Sequence, residues 1–289
     1  MPEPFHAGGT GEPLVLLHGF TDTWRAWTPV LPLLERDHAV FAPTLPGHFG
    51  GEPFPTGTRV SIPATIDMLE RQLDARGIRR AHFAGSSLGG WLALQLAARG
   101  RALSVVGICP AGCWEYGPAP RSVLLYFRRN DLLFRVGRPL VATVARRPRS
   151  RALALRELVA HPETVTASDA YAMFLGSAEC AVVPDAIRLA ASGDMFGELG
   201  PIGCPVRIAY LTRDRLLHWP EHYTRIRRQL PDADYVALEG LGHLPMWDDP
   251  ELIARTILEI TARPQSPCRP SQSSSSAICQ SLEPPSVVR

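Results

Sequence analysis

The 289-residue chain contains no lysine; all thirty residues counted as Lys+Arg are arginine. That absence excludes Schiff-base chemistry on a lysine, a Walker-type phosphate lysine and a kinase lysine. Cysteine is sparse, with six residues at 109, 113, 180, 204, 268 and 279, and no CxxC pair. Cys109 and Cys113 lack a nearby Cys/His pair that would complete a zinc tetrahedron. The expectation is buried, reduced thiols in a cytoplasmic protein, with a disulfide left open. No apolar run has membrane-spanning length, so no integral membrane segment is expected. Residues 1–13 are polar, with Gly and Pro, and show neither the basic nor the apolar region of a signal peptide. Net charge is +2 with 20% charged residues, which argues against a disordered chain and against nucleic acid as partner.

What is present is apolar: 45% of the residues are hydrophobic, enough for one large α/β domain with an insertion, or for two ordinary domains. Pro13–Leu17 is a continuous apolar run ending at His18-Gly19-Phe20, as a buried parallel strand entering a loop would be. Trp27–Leu34 has helical spacing, shortened by Pro29 and Pro32. Strands are expected at 39–42, 81–84, 103–108, 206–211 and 235–238, and helices at 62–76, 91–98 and 250–262. Alternating strands and helices imply an α/β fold with a mostly parallel sheet flanked by helices.

Between residues 112 and 203 the pattern becomes mostly helical without a convincing buried strand, which reads as an inserted helical cap. The expected organisation is a core of residues 1–111 and 204–262, the cap of 112–203, and a Pro/Ser/Gln-rich, disordered tail of 263–289. Ten arginines lie between 121 and 156 against one acid, Asp131. They form either a solvated face or a surface that attracts an acidic substrate, a carrier-linked acyl group or an anionic membrane.

Gly85-Ser86-Ser87-Leu88-Gly89 fits G-x-S-x-G between an expected strand and an expected helix. The pattern alone arises by chance in about one chain in ten of this length; its setting makes it informative. Such a turn holds the serine in strained geometry above the sheet, with the helix N-terminus facing a developing oxyanion. Ser87 is therefore the expected nucleophile, with Ser86 as its neighbour outside the central position. A serine needs a base. His243, in Gly242-His243-Leu244-Pro245, follows the last strand at the edge that carries Ser87. Asp214, after the strand ending at Leu211, is the expected acid, and Glu115 is the alternative. Backbone N–H groups of Leu88 and Phe20 are the expected oxyanion donors, and His18 is expected to brace the loop.

These residues resemble the α/β-hydrolase superfamily, in its subgroup of esterases, perhydrolases and carbon–carbon-bond hydrolases with helical caps. The resemblance rests on His18-Gly19-Phe20, Leu45-Pro46-Gly47-His48, the turn at Ser87, Pro205–Leu217 and Gly242–Pro245, and covers residues 13–110 and 203–262. It implies a cofactor-free, metal-free hydrolase with an acyl-enzyme on Ser87, and sets the chain apart from relatives with aspartate at that position, such as epoxide hydrolases. The departures are Leu211 in place of the usual glycine three residues before the acid, Thr44 before Leu-Pro-Gly, and almost no room in residues 1–12 for the usual N-terminal hairpin.

The expected substrate is a small apolar ester, lactone or thioester, bound among cap aromatics. Trp24, Trp114 and Trp247 are the first candidates to line the pocket, with Tyr116, Tyr126, Phe127, Phe134, Tyr171 and Phe174 behind them. The alternatives are a carbon–carbon hydrolase, perhydrolase or acyl transferase on the same fold, or a binding protein that has kept the scaffold. The oligomeric state is left open.

Overall fold

Strand side chains alternate between faces, so a strand covered on both sides must be apolar throughout. Leu14 and Leu16 enter one buried cluster with Val40, Val106, Leu211 and Val236. Val15 and Leu17 enter the other, with Phe41, Phe83, Val105 and Ile208. The continuous run Pro13–Leu17 thus feeds two cores, one on each face of a single sheet.

The computed structural model describes residues 3–263 and 286–288. Its strands are β1 (Phe5–Gly8), β2 (Glu12–Leu17), β3 (His38–Pro43), β4 (Ala81–Ser86), β5 (Ala102–Ile108), β6 (Val206–Leu211), β7 (Asp234–Leu238) and β8 (Ser286–Val288). They lie in the order β1-β3-β2-β4-β5-β6-β7-β8, and only β1 runs antiparallel. The described helices of the sheet layers are α1 (Leu31–Leu34), α2 (Ile62–Asp74), α3 (Leu88–Ala98), α9 (Thr224–Gln229) and α10 (Pro250–Thr261). Ser61 caps α2 by accepting from the Ala64 N–H, and Asp249 caps α10 by accepting from Leu252.

Both edges of the sheet are short strands. Four residues suffice for β1, so the N-terminal edge is shortened to one strand rather than lost. At the other edge, Ser286–Val288 pair with Val236–Leu238, a strand inside the segment expected to have no structure. The rest of that tail, residues 264–285 and 289, lies outside the described residues.

Helices α4 (Arg121–Gly137), α5 (Val141–Arg146), α6 (Pro148–Leu155), α7 (Ala167–Ala178) and α8 (Val183–Ser192) lie between β5 and β6 and cover the C-terminal edge of the sheet. They build a small core of their own around Val141, Leu155, Met173 and Phe174, which Leu244 and Trp247 join from the loop after β7. Arg225 ties both ends of this insertion to the sheet layer. Its guanidinium donates to the carbonyls of Gly112 and Phe196, and stacks over the Trp91 ring at 4.8 Å.

Candidate active site

Ser87 stands between β4 and α3 with φ 52° and ψ −116°, outside the favoured regions for a side-chain-bearing residue. Such a backbone costs about 1–3 kcal/mol and persists only where its surroundings enforce it. Here they do. The Ser87 N–H donates to Ile108 at 2.9 Å, and the Ser87 carbonyl accepts from Ala111 at 2.9 Å. The flanking glycines are steric necessities. A Cβ on Gly85 would lie 2.1 Å from the Gly89 carbonyl oxygen, and one on Gly89 would lie 2.0 Å from that of Leu17. Ser87 lines the cavity under the cap. Ser86 is fully buried, with its hydroxyl 3.9 Å from the Cys109 sulfur.

β6 and β7 deliver the other two groups to the same edge. The His243 Nδ1 lies 2.7 Å from Asp214 Oδ2. A carboxylate only accepts, so Nδ1 carries a proton, and in the neutral ring Nε2 holds the lone pair. The second carboxylate oxygen, Oδ1, accepts from the Leu216 and Leu217 N–H groups at 2.8 and 2.9 Å. Leu211 in the place of the expected glycine does not disturb this: it ends β6, and its carbonyl accepts from the Asp214 N–H. Burial would lower the His243 pKa, but the adjacent Asp214 carboxylate prevails and holds it well above its ordinary value. Glu115 is occupied elsewhere. It makes two 2.6 Å bonds to exposed Arg228, which hold its carboxyl low, at about 2.

His18 accepts from the Leu45 N–H through Nε2 at 2.8 Å, so Nδ1 is the protonated nitrogen and donates to the Gly19 carbonyl at 2.7 Å. Burial and the neighbouring His48 keep its pKa well below the ordinary value. In a trans peptide the carbonyl and the next N–H point in opposite directions. Fixing the Gly19 carbonyl therefore fixes the direction of the Phe20 N–H. Among the described residues, neither the Phe20 nor the Leu88 N–H has an acceptor.

Ser87 sits where two spaces meet. One also contains His243 and is walled by cap residues including Tyr126, Phe134, Met173 and Phe174. The other is lined by apolar side chains including Trp114, Val123, Ile187 and Phe196. Phe20, Phe127 and Leu216 border both, with the two phenyl rings edge-to-face at 5.0 Å. Of the three tryptophans expected to line a pocket, only Trp114 does. Trp24 packs in the core against His6 beneath the sheet edge, its indole N–H donating to the Glu3 carbonyl. Trp247 is a packing residue between loop and cap. Tyr116 and Tyr171 are exposed.

Two residues were not anticipated. Asp22 lines the space that contains His243, and one of its oxygens accepts from the Thr23 N–H at 2.8 Å. Burial pushes its carboxyl up to about 7, against the opposing pull of that N–H. The signal was an acid in His18-Gly19-Phe20-Thr21-Asp22, four residues after the loop histidine. Cys109, at the end of β5, lies within 4.8 Å of both the Asp214 carboxylate and the His243 ring, its thiol directed at the His243 carbonyl. The three groups have metal-ligand chemistry, but both carboxylate oxygens and the Nδ1 proton are already engaged in hydrogen bonds.

Residues 14–256 match the alpha/beta hydrolase family, and the chain belongs to it. The protein is a hydrolase by that membership. The chain is 32% identical over 201 residues to the epoxide hydrolase EphH of Mycobacterium tuberculosis, covering 68% of this chain and 94% of the relative. It is 36% identical over 97 residues to the 2-hydroxy-6-oxo-2,4-heptadienoate hydrolase of Pseudomonas putida, covering 32% of this chain and 35% of that one. Its fold is similar to that of the enol-lactonase from Burkholderia xenovorans LB400, with a TM-score of 0.68 at 18% identity, over 90% of this chain and 96% of that one. No single described helix is long and apolar enough to cross a membrane.

Proposed function

We propose that the protein is a serine hydrolase that cleaves a carboxylic ester, lactone or thioester through an acyl-enzyme on Ser87, with His243 as base and Asp214 orienting it. The observation that carries this reading is the 2.7 Å Asp214–His243 bond at the cavity that Ser87 also lines. Nε2 of His243 takes the Ser87 proton as the hydroxyl oxygen attacks the carbonyl carbon. The oxyanion accepts from the Phe20 and Leu88 N–H groups. As the tetrahedral intermediate collapses, the imidazolium returns its proton to the departing alcohol or thiol. Water then repeats the sequence on the acyl-enzyme.

A serine at the nucleophile position argues against epoxide opening as the reaction. A carboxylate that opens an epoxide forms an ester, which water can cleave. A serine oxygen would form an ether, which the same machinery cannot release. The two spaces meeting at Ser87 suit a substrate with an arm on each side of the carbonyl. One arm is apolar, and the other reaches Asp22, Asn130 and Ser177.

The test is fluorophosphonate labelling with mass-spectrometric mapping, alongside turnover of p-nitrophenyl esters and styrene oxide. Labelling at Ser87, with ester turnover and an inert epoxide, supports the reading. Folded protein that neither labels nor turns over esters would leave a binding protein on a hydrolase scaffold. Perhydrolysis and acyl transfer are separated by product analysis with peroxide or competing alcohols present.

A further inference from the structure

The outer face of the cap has a composition that a water-facing surface does not need. On α4, Leu125, Arg128, Leu132 and Val136 follow one another by three or four residues, so they form one stripe, and all four are exposed. Val136 is 75% exposed. Leu133, Leu140 and Leu153 are also more than half exposed, and they border a groove together with Arg129 and Arg156. That groove shares Tyr126, Asn130, Phe134, Ala154 and Phe174 with the space that holds Ser87 and His243. The apolar face therefore surrounds an entrance to the candidate active site.

The charge of this insertion between residues 121 and 156 is predominantly positive. Of the ten arginines between 121 and 156, only Arg151 is not exposed. Arg129, Arg135 and Arg138 pair with Glu157, Asp131 and Glu179. Arg121, Arg128, Arg146, Arg147, Arg149 and Arg156 have no carboxylate partner among the described residues. From these observations we infer that the cap face is a docking surface for an anionic phospholipid bilayer. The leucines of α4 enter the acyl boundary and the arginines hold lipid phosphates, so that an amphiphilic ester passes from the bilayer through the groove to Ser87.

Guanidinium groups suit this task, because their stems lie along apolar surface while the planar heads reach phosphate oxygens. Exposed leucines alone would suit a second copy of the chain equally well. A two-fold dimer through this face, however, brings two arginine-rich surfaces together. Docking stands on the surface alone; delivery of substrate rests on the proposed ester chemistry.

The experiment is flotation of the full chain with vesicles of phosphatidylcholine, with and without phosphatidylglycerol, at low and high salt. The variants are Leu125→Asp/Leu132→Asp/Val136→Asp and Arg128→Glu/Arg147→Glu, none of which lines the catalytic space. Binding is expected to be at least about tenfold stronger with anionic lipid, to weaken with salt, and to fall about tenfold or more in either variant. Turnover of a water-soluble ester and the melting temperature should stay near wild type. Ser87→Ala should float like wild type, which separates failure of docking from failure of the serine chemistry. Absence of flotation with anionic vesicles, or equal flotation of wild type and both variants, overturns the inference. So does a solution dimer that the α4 variant dissolves, or a requirement for an acidic protein in place of lipid.

Discussion

On the sheet side of the cavity the polar groups are pinned. Asp214 accepts three N–H bonds, and His18 joins the Gly19 carbonyl to the Leu45 N–H. On the cap side, rings meet edge-on, leucines face outward, and six arginines have no carboxylate among the described residues. The difference follows from what each side must do. Proton transfer needs fixed geometry to a few tenths of an ångström, which only directional bonds supply. A wall for an apolar arm needs volume and the exclusion of water, which many side chains can provide.

The comparison can be broken most sharply on the sheet side. Ser87→Ala should remove fluorophosphonate labelling and lower ester turnover by about 10⁶-fold while leaving circular dichroism unchanged. Persistent labelling would place the nucleophile elsewhere. Asp214→Asn should lower turnover by about 10⁴-fold, whereas Glu115→Gln should leave it near wild type. The pH profile adds a second reading. His243 must be neutral to act as base, and Asp214 raises its pKa, so wild-type turnover should rise with pH with a midpoint above 6.5. Without that carboxylate the lowering effect of burial is opposed only by the neighbouring Cys109, and the residual activity of Asp214→Asn should rise at lower pH. An unmoved midpoint would mean that another group titrates.

The hinge between the two regions gives a smaller effect. Arg225→Met removes the donors to the Gly112 and Phe196 carbonyls, at a cost of about 1–3 kcal/mol. Melting should drop by about 5 °C, and proteolysis should begin within residues 112–203. Cleavage beginning in the sheet would show that the arginine does not hold the insertion.

The smallest effect belongs to Asp22. Its carboxyl keeps a proton up to about 7 when folded, against an ordinary 3.8, so between those values the folded state binds more protons and stability falls as pH rises. Asp22→Asn removes that decline. The variant should gain on wild type from pH 5 to pH 8, by about 4 °C at the upper end. A constant difference across that range would show that Asp22 does not titrate there.

The sheet side was legible because its requirements are local. Gly85 and Gly89 are demanded by contacts a Cβ could not survive, and a five-residue apolar run has one sensible place in a doubly covered sheet. Asp214 and His243 each follow a strand, so topology brought them together without knowledge of the contacts. Edge strands were harder. Phe5–Gly8 is only half covered and carries no apolar run, and Ser286–Val288 is three residues in a polar tail. The cap was legible only as helical. Trp114, Trp24 and Trp247 look alike as residues, yet one borders the apolar space, one lies beneath an edge strand and one fastens loop to cap. Nothing in residue type tells which neighbours a large ring will find.

The loop that carries His243 is also fastened to the cap. The Leu244 N–H donates to the Leu158 carbonyl, and the Asp248 carboxylate accepts from Gly242, Ala160 and His161 together. A swing of that flank of the cap therefore drags on the imidazole's own support. Keeping the imidazole in register is thus a task shared between the strand that delivers it and the insertion that covers it.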